Sequence, residues 1–570
     1  MGITQYSYDN NNRLIKEIHP NGMVVKYEYD NVGNRTKVID PWDRTISYKY
    51  DPANRLVKVT DPQSRITTYN YTNVGIPAEV NYPNGIKTSY QYDQLNRVTL
   101  LKTQGSTLIN QFAYTYDKVG NRLTTTDKDG KVTQYEYDKL YRLTKVNYTN
   151  GSVTVYTYDG VGNRLTMNNI NYTYDACNRL FQAGDVTYQW NNNGNMMSKN
   201  ETGVITTYTY DYANRLIGVD NPSVVVNYTY DGYGRRTSRL VKAKGLGIPE
   251  AQYTEYLWDG TNVLSEFYQN KYNPLCYVHG INGQLISRDD LLWLKKADKI
   301  EVQSTHWFHH DVLGSIINIT DANGNIKLSY DYDVFGEITE EGSVGWKRNV
   351  YSFTGKPYDP VVYMYYFGAR WYDAKIGRFG SKDILTWDRE DPRLLRIPSC
   401  DRISQPFLEI NIVNTGQKYP QLFHDYIYCI NNPLKYVDPV GESPIVIGVG
   451  GTAVILLIGG WLFGPVEIHI GIDPFGQEAA TFGPWVTLYG PSFRSEHPAV
   501  QEAIRYHERI HARYFWLSPF QQKSEILAYT KQKEYVERQL RRRNLDPEAK
   551  KELEYLLESI ECVLMILKNK

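Results

Sequence analysis

Two histidines four residues apart, with a glutamate directly after the first, stand near the C-terminal end of the chain in Tyr506-His507-Glu508-Arg509-Ile510-His511. On a helix, residues i and i+4 share one face, so His507 and His511 are expected to point the same way. Two neutral imidazoles so placed can hold one zinc ion, and Glu508 then stands beside the open coordination position. With 10 His among 570 residues, a random chain gives roughly 0.01 such matches, so the pattern is informative. The plain alternative is a solvated helix with two surface histidines. His469 and His497 are the nearest competing ligands, and neither is expected to bind metal.

Elements must position these groups. Ser518-Pro519 reads as an N-cap followed by proline at the first helical position, opening a helix from Phe520 through Tyr529. Glu525 lies on it, 14 residues past His511, with Ala528 three residues on. This arrangement resembles the gluzincin branch of zinc peptidases, whose third ligand is a glutamate on the helix after the paired histidines. The resemblance implies His507, His511 and Glu525 as Zn2+ ligands and Glu508 as the catalytic base. A fourth position is left for water, whose pKa the metal lowers to about 7. Glu508 would take that water's proton and pass it to the leaving amine. The helix carrying the histidines is expected to start near Pro498, with Val500, Ile504 and Ile510 on its apolar side. Strands are expected at Val466–Ile472 and Trp485–Tyr489, by alternation. Asp546-Pro547 opens a last helix whose Leu553, Leu556, Leu557, Ile560, Val563, Leu564 and Leu567 form a core or helix-pairing stripe. Residues 466–570 therefore read as a small α+β zincin-like domain.

A chain of 570 residues is too long for one ordinary core. Lysine plus arginine and aspartate plus glutamate number 63 each, which argues against a nucleic-acid partner by bulk charge. Cys177, Cys276, Cys400, Cys429 and Cys562 form no CxxC pair, which suits synthesis in a reducing compartment. The first residues have neither a basic nor an apolar run, so no Sec signal is visible. Tyrosine is the outlier, with 51 against 16 Phe and 11 Trp.

The tyrosines are periodic. Tyr6-Ser-Tyr8-Asp9, Tyr27-Glu-Tyr29-Asp30, Tyr48-Lys-Tyr50-Asp51 and Tyr69-Asn-Tyr71-Thr72 recur every 21 residues. The series continues at Tyr92, Tyr116, Tyr137, Tyr158, Tyr174, Tyr210 and Tyr230, often followed by turns such as Val32-Gly33-Asn34-Arg35. Period-two alternation predicts strands, and Asn21-Gly22, Asn84-Gly85 and Asn150-Gly151 are expected to supply the positive φ of tight hairpins. A fixed period of this size means an array whose units bury their faces against neighbours. These residues resemble the YD repeats of Rhs proteins, toxin-complex C subunits and teneurins. The resemblance covers about residues 1–345 and implies a mainly β fold, a hollow shell of stacked hairpins. Tyrosine suits such a wall, since its ring buries area while its hydroxyl can face a wet interior. An open solenoid without a cavity is the competing architecture.

Residues 346–443 resemble the Rhs-associated core, through Phe353-Thr-Gly-Lys-Pro-Tyr-Asp359, Met364-Tyr-Tyr-Phe-Gly-Ala-Arg370-Trp-Tyr-Asp373 and Gly377-Arg378-Phe379. His309-His310-Asp311-Val-Leu-Gly314-Ser315 matches a further family segment. The core closes on Asn431-Asn-Pro-Leu-Lys-Tyr-Val-Asp438-Pro-Val-Gly441-Glu442. In related shells an aspartyl autoprotease cuts just after this motif, which implies Glu442–Ser443 as the scissile bond and Asp383 and Asp425 as the carboxylate pair. Three departures stand out: Glu442 replaces the usual leucine, Lys382-Asp383-Ile384 replaces Arg-Asp-Pro, and an insert from Leu385 to Phe423 splits the core. For each aspartate the alternative is a turn or cap.

Residues 444–465 contain no charged side chain, and as a helix their inner part would span about 28 Å, close to a bilayer core. A membrane anchor, a segment that inserts only during delivery and an apolar linker folded inside the shell all fit. The whole reads as a polymorphic toxin of the Rhs class. Its shell would enclose a zinc peptidase acting on a peptide or protein of a target cell, with a cognate immunity protein. It would be made in the cytoplasm, then secreted by a non-Sec route or associated with a membrane. The rival is a membrane-anchored YD-repeat surface protein for adhesion or carbohydrate contact. A third reading is that the chain is the C-terminal part of a longer polypeptide.

Overall fold

The computed structural model describes residues 2–245, 251–268, 273–294, 299–343, 349–383, 425–438 and 441, three short strands between 466 and 489, and scattered helical positions between 533 and 557. The chain forms two compact units. The first holds the described residues through Lys382 together with Tyr426–Gly441, and the second holds Asp383, Asp425 and the described C-terminal residues.

The first unit is built on a 32-stranded sheet in which every strand pairs antiparallel with the next, as Gln5–Tyr8 does with Leu14–Ile18 and Ile326–Tyr332 with Ile338–Ser343. One repeat shows why. In the strand Val24–Tyr29, Val25 and Tyr27 are buried while Lys26 and Glu28 face outward, the alternation a one-sided sheet requires. Pairing with Arg35–Ile39 slips by one residue at Tyr29, a bulge that sharpens the local twist. Asp30 then folds the turn. Its carboxylate accepts the Val32 and Asn34 N–H groups at 3.1 and 2.8 Å, and the Asn34 side-chain amide at 2.9 Å. Where arginine takes the asparagine's place, Nε of Arg55 and of Arg142 donates to Asp51 and Asp138 at 2.7 and 2.6 Å. The same guanidinium lies over the next repeat's tyrosine, 4.7 Å from the Tyr71 ring for Arg55 and 5.0 Å from Tyr158 for Arg142.

The second tyrosine of each pair has a different use from the one its amphipathic character suggests. Its hydroxyl does not face a wet interior but donates to a wall carbonyl: Tyr29 to Leu14 at 2.7 Å, Tyr50 to Arg35 at 3.0 Å, Tyr71 to Leu56 at 2.6 Å, each 15 residues back. Hairpin is thus tied to hairpin by a bond of about 1 kcal/mol per repeat. The Asn-Gly turns supply the expected positive φ. Only the glycine takes positive φ, +82° at Gly22 and +80° at Gly85, and Asn21 and Asn84 do not. Each turn is four residues closed by a hydrogen bond, Gly22 N–H to His19 O at 2.9 Å.

Early and late strands pack on one another. Tyr27, Tyr48, Val59, Tyr69 and Val80 share a core with Leu257, Phe267, Val278, Ile286 and Trp307. Buried charge fixes the register: Arg35 meets Asp259 at 2.6 Å, and Arg44 and Arg65 meet the fully buried Asp289 at 3.1 and 3.0 Å.

In the second unit, Val466–His469 pairs parallel with Val486–Tyr489, which pairs antiparallel with Ala479–Phe482. The two strands expected by alternation are present. Ala479–Phe482 was not anticipated, because Ala-Ala-Thr-Phe shows no apolar–polar alternation. Helical residues include the buried Val536 and the i,i+4 ion pairs Lys533–Glu537 and Lys550–Glu554. Among the described residues no helix is long and apolar enough to cross a membrane. The apolar segment 444–465 lies outside them.

Candidate functional site

Of the sequence candidates, His507, Glu508, His511, Glu525, Glu442 and Ser443 lie outside the described residues. Among the described residues no group of His, Cys, Asp or Glu could hold a metal. Asp383, Asp425 and Asp438 can be placed.

The core segment makes its own four-stranded antiparallel sheet, Tyr358–Asp359, Met364–Tyr366, Trp371–Asp373 and Arg378–Phe379. Aromatic residues fill it: Phe353, Tyr365, Phe367, Tyr372, Phe379 and Tyr428 form one buried cluster, with Tyr372 and Tyr428 ring centroids 4.5 Å apart. Polar anchors fasten it to the wall. Asp359 accepts two bonds from Arg239, at 2.6 and 2.7 Å, and the Tyr228 hydroxyl at 2.7 Å. Burial by itself would raise the Asp359 pKa, but Arg239 and Tyr228 hold it below the ordinary carboxylate range. Tyr365 and Tyr372 donate to the carbonyls of Gly336 and Phe335.

The closing motif is fixed to the turns of the repeats. Asn431 Nδ2 donates to Gly162 O at 2.8 Å, and Asn432 Nδ2 to Asn121 Oδ1 and Tyr141 O at 3.0 and 2.8 Å. Lys435 Nζ donates to Val119 O at 2.8 Å. The asparagine pair is therefore a fastening to the Val-Gly-Asn-Arg type turns. Six residues on, Asp438 is 1% exposed and its Oδ1 accepts the Gly441 N–H at 2.7 Å. Arg370, itself 2% exposed, donates from Nε to the Gly441 carbonyl and from Nη2 to Asp438 at 3.4 Å. Its guanidinium lies 3.7 Å from the Phe379 ring centroid. Gly441 has φ +73°, and a Cβ there would lie 2.9 Å from Phe367 Cβ, so only glycine fits. Both polar groups of the Gly441 backbone are thus held, one bond before Glu442.

Half-buried Lys356 belongs to this cluster. Its Nζ lies 5.7 Å from the Phe367 ring centroid, and burial lowers its pKa to about 8 while Asp438 pulls the other way. Burial, then Asp438, raises the thiol of Cys429. Arg370 and Lys356 were missed in the sequence. The available signal was a lone cation inside each aromatic core motif, since a buried charge requires a partner.

The backbones of Asp383 and Asp425 meet, the Asp383 N–H donating to the Asp425 carbonyl at 3.1 Å. Asp383 is 7% exposed. This hydrogen bond joins the two ends of the stretch that carries the insert.

The sequence matches the model of the Teneurin YD-shell family over residues 2–139 and 121–397. It is 29% identical over 281 residues to the tRNA3(Ser)-specific nuclease WapA of Bacillus spizizenii, covering 48% of this chain and 10% of that protein. It is 24% identical over 227 residues to the double-stranded DNA deaminase toxin A of Burkholderia cenocepacia, covering 37% and 16%. Among solved structures it is similar to the Photorhabdus luminescens Tc holotoxin pore, with a TM-score of 0.53 and 17% identity, over 77% of this chain and 21% of that one. The chain therefore spans only a small part of the length of these relatives. With a match that runs through most of its residues and a sheet built from the same tyrosine-aspartate hairpins, the chain belongs to the Teneurin YD-shell family.

Proposed function

We propose that this chain is the shell and plug of a polymorphic toxin. A hollow YD-repeat shell encloses a C-terminal zinc-dependent peptidase, which cleavage at Glu442–Ser443 sets free. The observation that carries the reading is the clamp at Gly441, where Asp438 and Arg370 hold the backbone immediately before the proposed break. An ordinary surface loop has no need of two fully buried charges to hold one glycine. In the cut itself, the ionised member of the Asp383–Asp425 pair takes a proton from water as its oxygen adds to the Glu442 carbonyl carbon. The protonated member gives its proton to the Ser443 nitrogen as the C–N bond breaks. The relatives support an interchangeable effector: proteins named as a tRNA nuclease and a DNA deaminase toxin are similar to 48% and 37% of this chain.

The peptidase assignment rests on the residue pattern. His507, His511 and Glu525 would hold zinc, and Glu508 would carry the proton from water to the leaving amine. Zinc, when bound, lowers the pKa of water and polarises the substrate carbonyl. The partners are then a peptide or protein of a target cell and an immunity protein in the producer, with export by a non-Sec route. Elemental analysis of the purified chain tests this reading, with wild type beside His511→Ala and Glu525→Ala. About one zinc per chain, lost in both variants, supports it. No zinc after reconstitution would retire the peptidase and favour a membrane-anchored surface protein, to which the uncharged stretch 444–465 would then belong.

A further inference from the structure

We propose that the outer face of the first hairpins docks on an anionic lipid bilayer, through lysines that the fold itself does not need.

From the strand Leu14–Ile18 to the strand Leu56–Thr60, the residues that alternate with the buried Glu17, Val25, Tyr27, Val38, Tyr48 and Val59 include Lys16, Lys26, Lys37, Lys49 and Lys58. All five therefore stand on the face opposite the core. The register sets Lys16 directly across from Lys26, and Lys49 directly across from Lys58. Like charges so placed destabilise a sheet. With strands about 4.8 Å apart, the five lysines fall within about 20 Å. Opposite charge is scarce on this face. Glu28 meets Lys37 at 2.8 Å, and Asp43, in a turn, meets Lys26 at 3.3 Å. Among the described residues Lys16, Lys49 and Lys58 form no ion pair.

Other repeats show that the position has better solutions. Where Lys49 faces Lys58, later hairpins set Thr115 across from Thr124, Thr157 from Thr166, and Thr229 from Ser238. Their hydroxyls bond at 2.7, 2.6 and 2.6 Å. Glu136 and Lys145 fill the same place with an ion pair at 3.0 Å. A chain with 63 cationic and 63 anionic side chains thus concentrates uncompensated positive charge on one small area, against the stability of its own sheet.

The neighbours of the lysines select the partner. Neither arginine nor an aromatic ring stands among them on this face. Arg35, Arg44 and Arg55 are engaged by Asp259, Asp289 and Asp51, and Tyr27 and Tyr48 are buried on the other side. A nucleic acid would be gripped by guanidinium forks and stacked rings. Instead, Ile39 stands across from Lys26, and the exposed Ile66 continues the row that runs from Lys37 through Ser47 and Thr60. Hydrated ammonium groups among aliphatic side chains suit lipid headgroups, where each lysine strengthens binding roughly fivefold. This contact requires neither cleavage at Glu442–Ser443 nor zinc.

Sedimentation of the full chain with sucrose-loaded vesicles tests it, phosphatidylcholine alone beside phosphatidylcholine with about 30% phosphatidylserine. The chain is expected to pellet with the anionic vesicles in preference to the neutral ones and to be released by about 0.5 M salt. The double variant Lys49→Thr, Lys58→Thr copies the chain's own Thr–Thr pair. It should bind the anionic vesicles at least roughly tenfold more weakly, and melt no lower than wild type, since a like-charge pair is gone. Lys118→Thr with Lys139→Thr removes the same charge from exposed turns and should bind as wild type. Binding that ignores headgroup charge overturns the inference, as does a folded Lys49→Thr, Lys58→Thr chain that binds undiminished. An equal loss in the Lys118→Thr, Lys139→Thr chain overturns it by showing a net-charge effect alone. A lower melting temperature for Lys49→Thr, Lys58→Thr overturns it by showing that the fold needs the lysines. Capture of a DNA duplex of about 30 base pairs in preference to the anionic vesicles would overturn it in favour of a nucleic-acid partner.

Discussion

Removing one carboxylate should release the core segment from the wall. Asp359 is 3% exposed and accepts both nitrogens of one edge of Arg239, at 2.6 and 2.7 Å, and the Tyr228 hydroxyl at 2.7 Å. Asp359→Ala leaves the largely covered Arg239 guanidinium and the buried Tyr228 phenol without that acceptor. Breaking a buried pair from one side costs about 3–5 kcal/mol, because the remaining charge is stranded. Tyr228→Phe removes one bond and leaves the pair intact, so it should cost about 1 kcal/mol. Urea unfolding followed by tryptophan fluorescence reads the effect, since Trp371 lies 4.7 Å from Tyr228. With a slope of about 2–3 kcal/mol/M, the Asp359→Ala midpoint should fall by about 1–2 M. The acid side adds a check. The folded pKa of Asp359 lies below the unfolded value, so its contribution is complete above about pH 4 and is lost as pH falls through the folded pKa. The wild-type advantage over Asp359→Ala should therefore vanish in strong acid. An Asp359→Ala midpoint within about 0.3 M of wild type would refute the anchor.

Tyr137→Phe deletes the hydroxyl that donates to Arg122 O at 2.8 Å and should cost about 1 kcal/mol in the same urea titration. Gly336→Ala should cost more than Gly33→Ala. Both glycines have positive φ, but a Cβ at Gly336 would lie 2.4 Å from Phe353 while that at Gly33 meets open space. Expected losses are at least 3 kcal/mol and about 1–2 kcal/mol. His309 and His310 are buried, and burial holds both pKa values near about 3, with His310 adding to the effect at His309. Their folded pKa lies below the unfolded 6.5, so unfolding takes up protons and stability falls as pH drops below about 6.5, by up to 1.4 kcal/mol per unit for each. Asp40 and Asp333, raised to about 6 by burial, act in the opposite sense. Thermal melts at pH 7 and pH 5 should therefore show a smaller acid loss in His309→Gln and His310→Gln than in wild type, and an equal loss would contradict the burial account.

The repeat was legible because its information is local. A strand of period two, an aspartate that accepts its own turn's amides and an arginine four residues on all fall within one 21-residue window. Tyr29, Tyr50 and Tyr71 were recognised as wall residues, but not their use. The acceptor for each hydroxyl lies 15 residues back on a neighbouring hairpin, and only the folded register reveals it. The same limit hid Arg370 and Lys356. Nothing in Met364-Tyr-Tyr-Phe-Gly-Ala-Arg370 says that Arg370 will meet Asp438, since 68 residues separate the partners. Asp383 and Asp425 were paired by resemblance, and the fold brings their backbones within one hydrogen bond although the insert separates them in sequence. The Asn431-Asn432 pair read as a signature and proved to be a fastening, its acceptors lying about 270 to 310 residues upstream on turns of the repeats.

A shell that lets go of its C-terminal part must yield two fragments, and intact mass reads them. The full chain, expressed with tags at both ends, is weighed as wild type, Asp383→Asn and Asp425→Asn. Wild type is expected to give two species that meet at Glu442–Ser443, and each variant one uncut mass. One uncut wild-type mass, or a wild-type cut that persists unchanged in both variants, would contradict it.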